Sequence, residues 1–376
     1  MSFSREQIKP CTREGLGTYF AVFQMKGLFK SMIMKTYIQN FINIARRNLF
    51  AASRIKVDKP FFNITVQGVR FLVPALIIGL LSCKTRPANE QNETPTRGNI
   101  RITVDESFQP LIDTEVFTFT HLYLNANIKP QYKPEYDVIN DFMNDSVKVI
   151  VASKRLTEDQ IKYLRDSLVI ARTVPFAWDA LALVINKENH DSLINYNDIR
   201  DIFLGKKTEW KDLDSRSRLG GIRVIFDNTK SGNIRYFKDL FEIKDNLPGN
   251  FYAVNSNLEV IDFVSRNRDA LGIVSKNWIS DKDDLQSRKY SNKIIVVAVS
   301  RQYINDGSYY RPDQGFIANK EYPFVREIFF ISRETFSGLG TGFIQWATSE
   351  PGQYIVLKSG LVPATMPIRL VQIRSE

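Results

Sequence analysis

The chain has 376 residues, 43% of them hydrophobic, and a formal net charge of +10. The charge is uneven, because residues 1–82 hold twelve of the 51 Lys and Arg but only three of the 41 Asp and Glu, which leaves 39 basic and 38 acidic residues over 83–376. The positive excess lies in the N-terminal segment, and residues 83–376 are nearly neutral. The net charge is therefore no evidence for a nucleic-acid-binding surface, and we expect no nucleic-acid partner.

A short apolar run ends at a cysteine near residue 80. Arg70 precedes Phe71–Leu81, and a serine and Cys83 follow directly. The run is shorter than the about 20 apolar residues that cross a bilayer. A basic residue, an apolar run and a small residue before Cys are typical of a lipoprotein signal peptide. We therefore expect residues 1–82 to be a removed leader and Cys83 to be lipidated; a buried strand that ends in Cys is the alternative.

The expected leader is longer than the about 15–30 residues usual for a signal peptide, which predicts a true translation start downstream of Met1. The polar stretch after the apolar run predicts a tether over residues 83–98. We expect a periplasmic, lipid-anchored protein. Lys84, rather than an aspartate, follows Cys83, which favours the outer membrane.

Residues 99–376 alternate short apolar runs with amphipathic stretches, which is typical of an α/β fold. Val138, Ile139 and Phe142, for example, recur at helical spacing. The apolar runs predict strands at Ile100–Val104, Val147–Ala152, Ala180–Asn186, Ile222–Phe226, Leu271–Val274, Ile294–Val299 and Glu327–Ser332. The periodic stretches predict helices at Glu135–Asn144, Glu158–Leu168, Tyr196–Leu204, Gly232–Phe241, Leu258–Arg266, Gly340–Thr348 and Gly352–Ser359.

Three of the predicted strands end in a polar turn that leads into a helix. A helix N-terminus presents free N–H groups and roughly half a positive charge, and ligands of open α/β sheets bind beyond the carboxyl ends of the strands. Each turn alone is more typical of a helix cap or a surface ion pair. Together they offer the amides, hydroxyls and guanidinium that a tetrahedral oxyanion requires. The candidate ligand residues are Ser107, Phe108, Ser153, Arg155, Ser231, Gly232 and Asn233.

Motifs for catalysis or metal binding are weak. His121 and His190 lie far apart without metal-ligand spacing, and the sole cysteines are Cys11 and Cys83. The glycine-rich stretch Ser337–Gly342 lacks the Lys-Ser/Thr of a phosphate-binding loop and predicts a turn before a helix. We therefore expect no enzyme activity, no metal and no cofactor.

Four segments give the chain a resemblance to the PstS-like phosphate-binding proteins of ABC transporters. They are Pro175–Asn186, Ile202–Trp210 with its Ile-Phe-Leu-Gly-Lys phrase, the Ser231-Gly232 turn, and Ala270–Val274. The similarity extends over nearly all of residues 99–376. It implies a two-lobed, Venus-flytrap fold of the periplasmic-binding-protein type with discontinuous lobes, 99–185 plus 320–376 and 186–319.

Carried over by resemblance, the ligand set would be Ser107, the Phe108 amide, Ser153, Ser231, Gly232 and Asn233. The chain departs from the family at three places: Ser153-Lys154-Arg155 replaces a Ser-Asp pair, Asp227 replaces an arginine, and Lys133-Pro134-Glu135-Tyr136 replaces a Ser/Gly-rich helix start. We expect Arg155 to supply the cation lost at Asp227. Asp179 lies in an apolar run, and we expect it either to orient Arg155 or to make a plain structural hydrogen bond.

The resemblance implies a monomeric solute-binding protein that captures phosphate or a similar oxyanion and delivers it to an ABC permease. Two alternatives remain open from the sequence. One is a sensor or scavenger lipoprotein with this fold and no permease. The other is an enzyme that acts on phosphorylated substrates, which the lack of a recognisable base and nucleophile disfavours.

Overall fold

The computed structural model describes residues 93–281, 283–303 and 306–367, which lie in one compact unit. The predicted leader, Cys83 and the first part of the tether lie outside these residues. None of the helices in the described ranges has the length and apolar character that a bilayer crossing requires.

The N-terminal part of the described chain alternates strands and helices, and its strands form one half of a large sheet. Its elements are β1 (Gly98–Asp105), α1 (Gln109–Leu122), β2 (Ala126–Lys133), α2 (Glu135–Met143), β3 (Val149–Ala152), α3 (Glu158–Asp166) and β4 (Arg172–Asn186). β1 pairs in parallel with both β2 and β3. A 3-10 turn, Glu106–Phe108, joins β1 to α1.

The middle of the chain contains the strands of the other half of the large sheet. Its elements are β5 (Leu193–Ile194), α4 (Tyr196–Phe203), β6 (Arg223–Phe226), α5 (Gly232–Leu240), β7 (Phe251–Ala253), α6 (Asn257–Arg266), β8 (Ala270–Ser275), α7 (Leu285–Ser291), β9 (Ile294–Val296), β10 (Ala298–Ser300), β11 (Tyr309–Tyr310) and α8 (Gln314–Ala318). β6 pairs in parallel with β7 and β8, whereas β8 runs antiparallel to β4.

The chain then returns to the first side. β12 (Val325–Ser332), α9 (Leu339–Ala347), α10 (Glu350–Lys358) and β13 (Val362–Pro363) complete the described fold. The large sheet has the order β2-β1-β3-β12-β4-β8-β6-β7, and β9 and β13 also pair with β4. We call the part built on β1, β2, β3 and β12 the first lobe, and the part built on β6, β7 and β8 the second lobe.

β4 is the strand that joins the lobes. Its residues up to Ala180 pair with β12, and its residues from Leu181 onward pair with β8. The change of partner therefore falls between Ala180 and Leu181, a few residues before the predicted lobe boundary at residue 185. The predicted boundaries otherwise stay predictions.

Each lobe has its own apolar core. In the first lobe Phe119, Phe330 and Phe343 are buried together, and in the second Phe203 and Phe237 stack with ring centroids 4.7 Å apart. These residues come from the apolar faces of helices and from strands buried on both sides, as the alternation of runs predicted. The α/β, two-lobed fold expected from the sequence is confirmed.

Candidate functional site

The turns after β1 and β6 meet between the lobes. Ser107, which follows β1, donates its hydroxyl to Asn233 Oδ1 at 3.0 Å, and both residues are fully buried. Asn233 is the second residue of α5 and donates in turn to Asn257 Oδ1 at 3.2 Å. Phe108 is also fully buried beside Ser107. The structure thus brings together predicted residues that lie 126 positions apart in the chain.

The N-terminus of α5 faces this junction. Ser231 caps the helix by accepting the Ile234 amide and donates its own hydroxyl to Asp227 Oδ1 at 2.6 Å. Gly232 follows, and a Cβ at this position would lie 2.6 Å from Asp105 Oδ2. A glycine is therefore required here for the close approach of a carboxyl group to the helix end, where partial positive charge is concentrated.

Ser153, after β3, contacts a carboxylate. Its amide and hydroxyl both donate to Glu135 Oε1, at 2.9 and 2.6 Å. Arg235, on the first turn of α5, donates from Nε to Glu135 Oε2 and from Nη2 to Ser153 Oγ at 3.1 Å. Glu135 and Arg235 thus form an ion pair across the lobes that is almost completely buried on the Glu135 side.

The structure corrects the predicted role of Arg155. Its side chain is 58% exposed, pairs with Glu327 at 3.2 Å and lies over the Phe329 ring. Its turn reaches the surface, where a flexible guanidinium finds a carboxylate and an aromatic face. Arg155 is therefore not the buried cation of this site.

Arg326, on β12, supplies a buried guanidinium instead. Its Nε and Nη2 donate to Asp179 Oδ2 at 3.0 and 2.9 Å, and its Cζ lies 4.8 Å from the centre of the Phe108 ring. Asp179 also accepts the Ser275 hydroxyl at 2.9 Å. Asp179 therefore pairs with Arg326 and not with Arg155, which corrects the predicted partner.

Carboxyl groups crowd the same region. Burial raises the pKa of Asp105 to about 7, with the Glu135 charge adding to the effect, and burial raises the pKa of Asp227 to about 6. Burial, with the Asp227 charge, raises the pKa of Glu106 to about 8. Glu135 differs, because burial opposes its ionisation but the Arg235 guanidinium outweighs that cost and keeps its pKa below the usual value.

Several buried polar atoms of this region make no hydrogen bond to any described residue. They are Asp105 Oδ2, Asp179 Oδ1, Asn277 Oδ1 and Arg326 Nη1. An unpartnered buried polar atom is costly, at about 1–3 kcal/mol, so such a group in a folded protein indicates a solute, a water or strain. In the described ranges no group of three or more His, Cys, Asp and Glu side chains is placed to hold a metal ion.

A cavity of about 630 Å³ adjoins the Glu135–Arg235 pair. Glu135 and Tyr136 line it from the first lobe, and Ser231 and Arg235 line it from the second. Asp239 also lines the cavity, but four cationic side chains against two acidic ones leave the lining net positive, and three of the cations are lysines. They are Lys154, Lys230 and Lys238.

Sequence reasoning missed Glu135, Arg235 and Arg326 as members of the site. Arg326 carried a usable signal, because it interrupts an apolar strand, as Asp179 does, and two opposite charges in buried strands favour a buried pair. Glu135 and Arg235 carried no such signal, because charged residues on the first turns of helices are ordinarily solvated.

The two halves of the large sheet meet at β4, and the strand-end turns of both lobes face one another, which defines a two-lobed α/β fold. Residues 89–351 match the PBP superfamily domain, and the chain belongs to that family. The resemblance to PstS-like proteins noted from the sequence is confirmed by the relatives found.

Two curated relatives illustrate this similarity. Protein SphX of Synechococcus elongatus is 24% identical over 51% of this chain and 56% of its own length. The phosphate-binding protein PstS of Borreliella burgdorferi is 22% identical over 75% of this chain and 93% of its own length. The match thus spans about half of SphX.

Solved structures have the same fold. A protein from Clostridium perfringens, solved with bound phosphate, has a TM-score of 0.60, 22% identity, and coverage of 71% of this chain and 100% of that one. An ABC-type phosphate transport receptor from Vibrio cholerae has a TM-score of 0.54 and 19% identity, with coverage of 72% and 100%.

Proposed function

We propose that this chain is the solute-binding protein of an ABC importer and that it captures phosphate, or a similar tetrahedral oxyanion, between its lobes. Relatives and structural neighbours are phosphate-binding proteins by name, which supports this solute class. A solute that touches both lobes favours the closed form by its differential affinity, and the permease would read that closure. Family members bind without transforming their ligand, and we propose the same here.

The unpartnered Arg326 Nη1 and Asp105 Oδ2 carry the proposal. The first is a buried donor. The second is an acceptor in the ionised form of Asp105, which the Arg326 charge favours although burial raises the pKa. Hydrogen phosphate offers both acceptor oxygens and a donor hydroxyl, whereas sulfate at neutral pH offers acceptors alone. The pair therefore favours a protonated oxyanion.

The carboxyl groups raise a second candidate, a cationic solute. Asp105, Glu106, Glu135 and Asp227 together could attract an amine. The raised pKa values of Asp105 and Glu106 reduce this negative charge near pH 7, and the net positive lining of the cavity favours anions. The oxyanion is therefore the better supported solute.

Titration calorimetry of the purified full chain tests the proposal. We expect heat of binding with phosphate and weaker binding with sulfate. Arg326→Gln should weaken phosphate binding by about 2–5 kcal/mol, because it removes a buried charge partner. Arg155→Gln is the matched control, and its affinity should stay within about twofold, since an exposed ion pair contributes little.

Arg326→Gln also leaves Asp179 unpaired, so Arg326→Lys, which keeps the charge but loses the planar donor fork, serves as a second variant. Binding of an amine such as putrescine in place of every oxyanion would favour the second candidate. Equal losses in the Arg155 and Arg326 variants would show that the solute does not lie at this cluster.

We propose further that Cys83 is lipidated and holds the protein on the periplasmic side of a membrane. The motif that ends at Cys83 supports this, and PstS-like proteins act outside the cytoplasm. Mass spectrometry of the processed chain, with Cys83→Ser as the control, would detect the acyl groups. A precursor that retains residues 1–60 would contradict the expected translation start downstream of Met1.

A further inference from the structure

We propose that Glu135 is a resident anion: in the solute-free chain its carboxylate takes the place of the solute's charged oxygens and holds the lobes together. The inference rests on the proposed function. It assigns to Glu135 the control of solute affinity, and it makes the incoming oxyanion a competitor that must displace an internal carboxylate.

The donors around Glu135 are those expected for an oxyanion. Glu135 Oε1 accepts the Ser153 amide at 2.9 Å and the Ser153 hydroxyl at 2.6 Å, and both of its oxygens face the Arg235 guanidinium. A Cβ at Gly232 would lie 3.1 Å from Oε1, so the carboxylate also reaches the N-terminus of α5. Amide, hydroxyl, guanidinium and helix end are therefore already occupied by one side chain.

The ionisation of Glu135 agrees with this role. Its side chain is 2% exposed, yet Arg235 keeps its pKa below the usual value. By contrast, burial raises the pKa of its neighbour Asp105. Glu135 is thus a buried anion at neutral pH, and a second anion beside it is opposed by Coulomb repulsion in a low-dielectric site.

Glu135 also links the lobes. It lies on α2 of the first lobe, and Arg235 lies on α5 of the second. Two contacts flank the pair: the Tyr136 amide donates to the Lys230 carbonyl at 3.1 Å, and Lys230 Nζ lies 3.1 Å from Asp137 Oδ1. Closure in this chain therefore has internal contacts that a solute ordinarily provides.

The adjoining cavity provides room for exchange. Glu135 lines the cavity of about 630 Å³ together with Lys154 and Lys230. A Glu135 carboxylate that rotates out of the site meets Lys154 there, since Lys230 already pairs with Asp137, and its former donors become available to the solute. The solute must therefore outcompete a carboxylate, which favours a doubly charged oxyanion over a singly charged one.

The test compares Glu135→Ala with Asp239→Asn in the full chain. Asp239 also pairs with Arg235, at 2.7 Å, and lines the same cavity, but its side chain is 60% exposed, so this variant removes a solvated carboxylate partner from the same arginine. Small-angle scattering without solute should show a larger radius of gyration for Glu135→Ala and no change for Asp239→Asn. Phosphate should return Glu135→Ala to the compact form.

Calorimetry should show phosphate binding at least about tenfold tighter in Glu135→Ala than in the unmodified chain, and within about threefold in Asp239→Asn. Glu135→Gln, which keeps the shape and loses the charge, should fall between and serves if the alanine variant does not fold. A Glu135→Ala chain that stays compact without solute, or that binds phosphate no more tightly than the unmodified chain, overturns the inference. A variant that opens while no oxyanion binds either chain supports the resident anion and contradicts the proposed solute class.

Discussion

Asp105, Glu106 and Asp227 hold their protons to unusually high pH. Burial is the main cause of their raised pKa values of about 7, about 8 and about 6, against ordinary values of 3.8 to 4.5. Between those limits the folded chain binds protons that the unfolded chain releases. The free energy of unfolding must therefore fall as pH rises from about 4 to 8, by about 1.4 kcal/mol per pH unit for each group while it stays protonated only in the folded state.

Urea unfolding at pH 5, 6, 7 and 8 measures this slope. Glu106→Gln should make the decline with pH shallower, because the variant has no titratable carboxyl group at this position. Glu259→Gln, at an exposed carboxyl on α6, should leave the slope unchanged. A stability that rises over this pH range would contradict the raised pKa values. Glu135 contributes in the opposite sense, and only below its ordinary pKa of 4.5.

The identity of the buried cation illustrates what a sequence conceals at the scale of one residue. Arg155 lies two residues after Ser153 at a strand end, which makes it the natural candidate from the sequence. Arg326 lies 147 positions from its partner Asp179, and only the antiparallel pairing of β4 and β12 brings the two together. Local sequence predicts strand ends and caps, but it carries no information about which distant side chain crosses to them.

At the scale of the element, the start of α5 depends on one glycine. Gly232→Ala should weaken phosphate binding by at least about tenfold and lower stability, because its Cβ would lie 2.6 Å from Asp105 Oδ2 and 3.1 Å from Glu135 Oε1. Gly249→Ala is the control, since a Cβ there meets nothing within 4 Å. Calorimetry and urea unfolding measure both effects. Equal behaviour of the two variants would show that α5 can move away from the carboxyl groups.

The elements were largely predictable, and the exceptions have physical reasons. The predicted helix Glu135–Asn144 matches α2 to within one residue, and Gly232–Phe241 matches α5 equally well. For α1 the sequence predicts a start after the first strand but no extent, because several threonines weaken its helical pattern, although its face with Leu111 and Phe119 is buried.

Strand predictions failed where strands are polar or interrupted. β2 contains a proline and alternates buried with exposed residues, which the edge of a sheet tolerates and a search for apolar runs misses. β4 begins at Arg172, eight residues before its predicted start. The predicted strand Ile294–Val299 is divided into β9 and β10 at Val297.

At the scale of the whole molecule, the lysines of the cavity should draw anions toward the site. Because charges of one sign at a cleft raise association rates, the double variant Lys154→Gln, Lys238→Gln should slow phosphate association about three- to tenfold at low salt. The matched control is Lys206→Gln, Lys211→Gln, whose lysines pair with Asp201 and Glu209 in the second lobe.

Stopped-flow fluorescence at low salt and at 0.5 M salt measures this effect. The difference in association rate between the cavity variant and the unmodified chain should disappear at high salt, because the Debye length falls to about 4 Å. A control variant that slows association as much as the cavity variant would mean that overall charge, rather than the cavity, attracts the solute.

A single uninterrupted strand runs through both lobes. β4 has 15 residues, and its two ends are hydrogen-bonded to different neighbours. Unfolding of either lobe would remove the hydrogen-bonding partners of one end of that strand and expose the apolar surface beside it. Thermal unfolding should accordingly give one calorimetric transition. If the chain is divided at Ala180, each of the two fragments should be poorly soluble by itself.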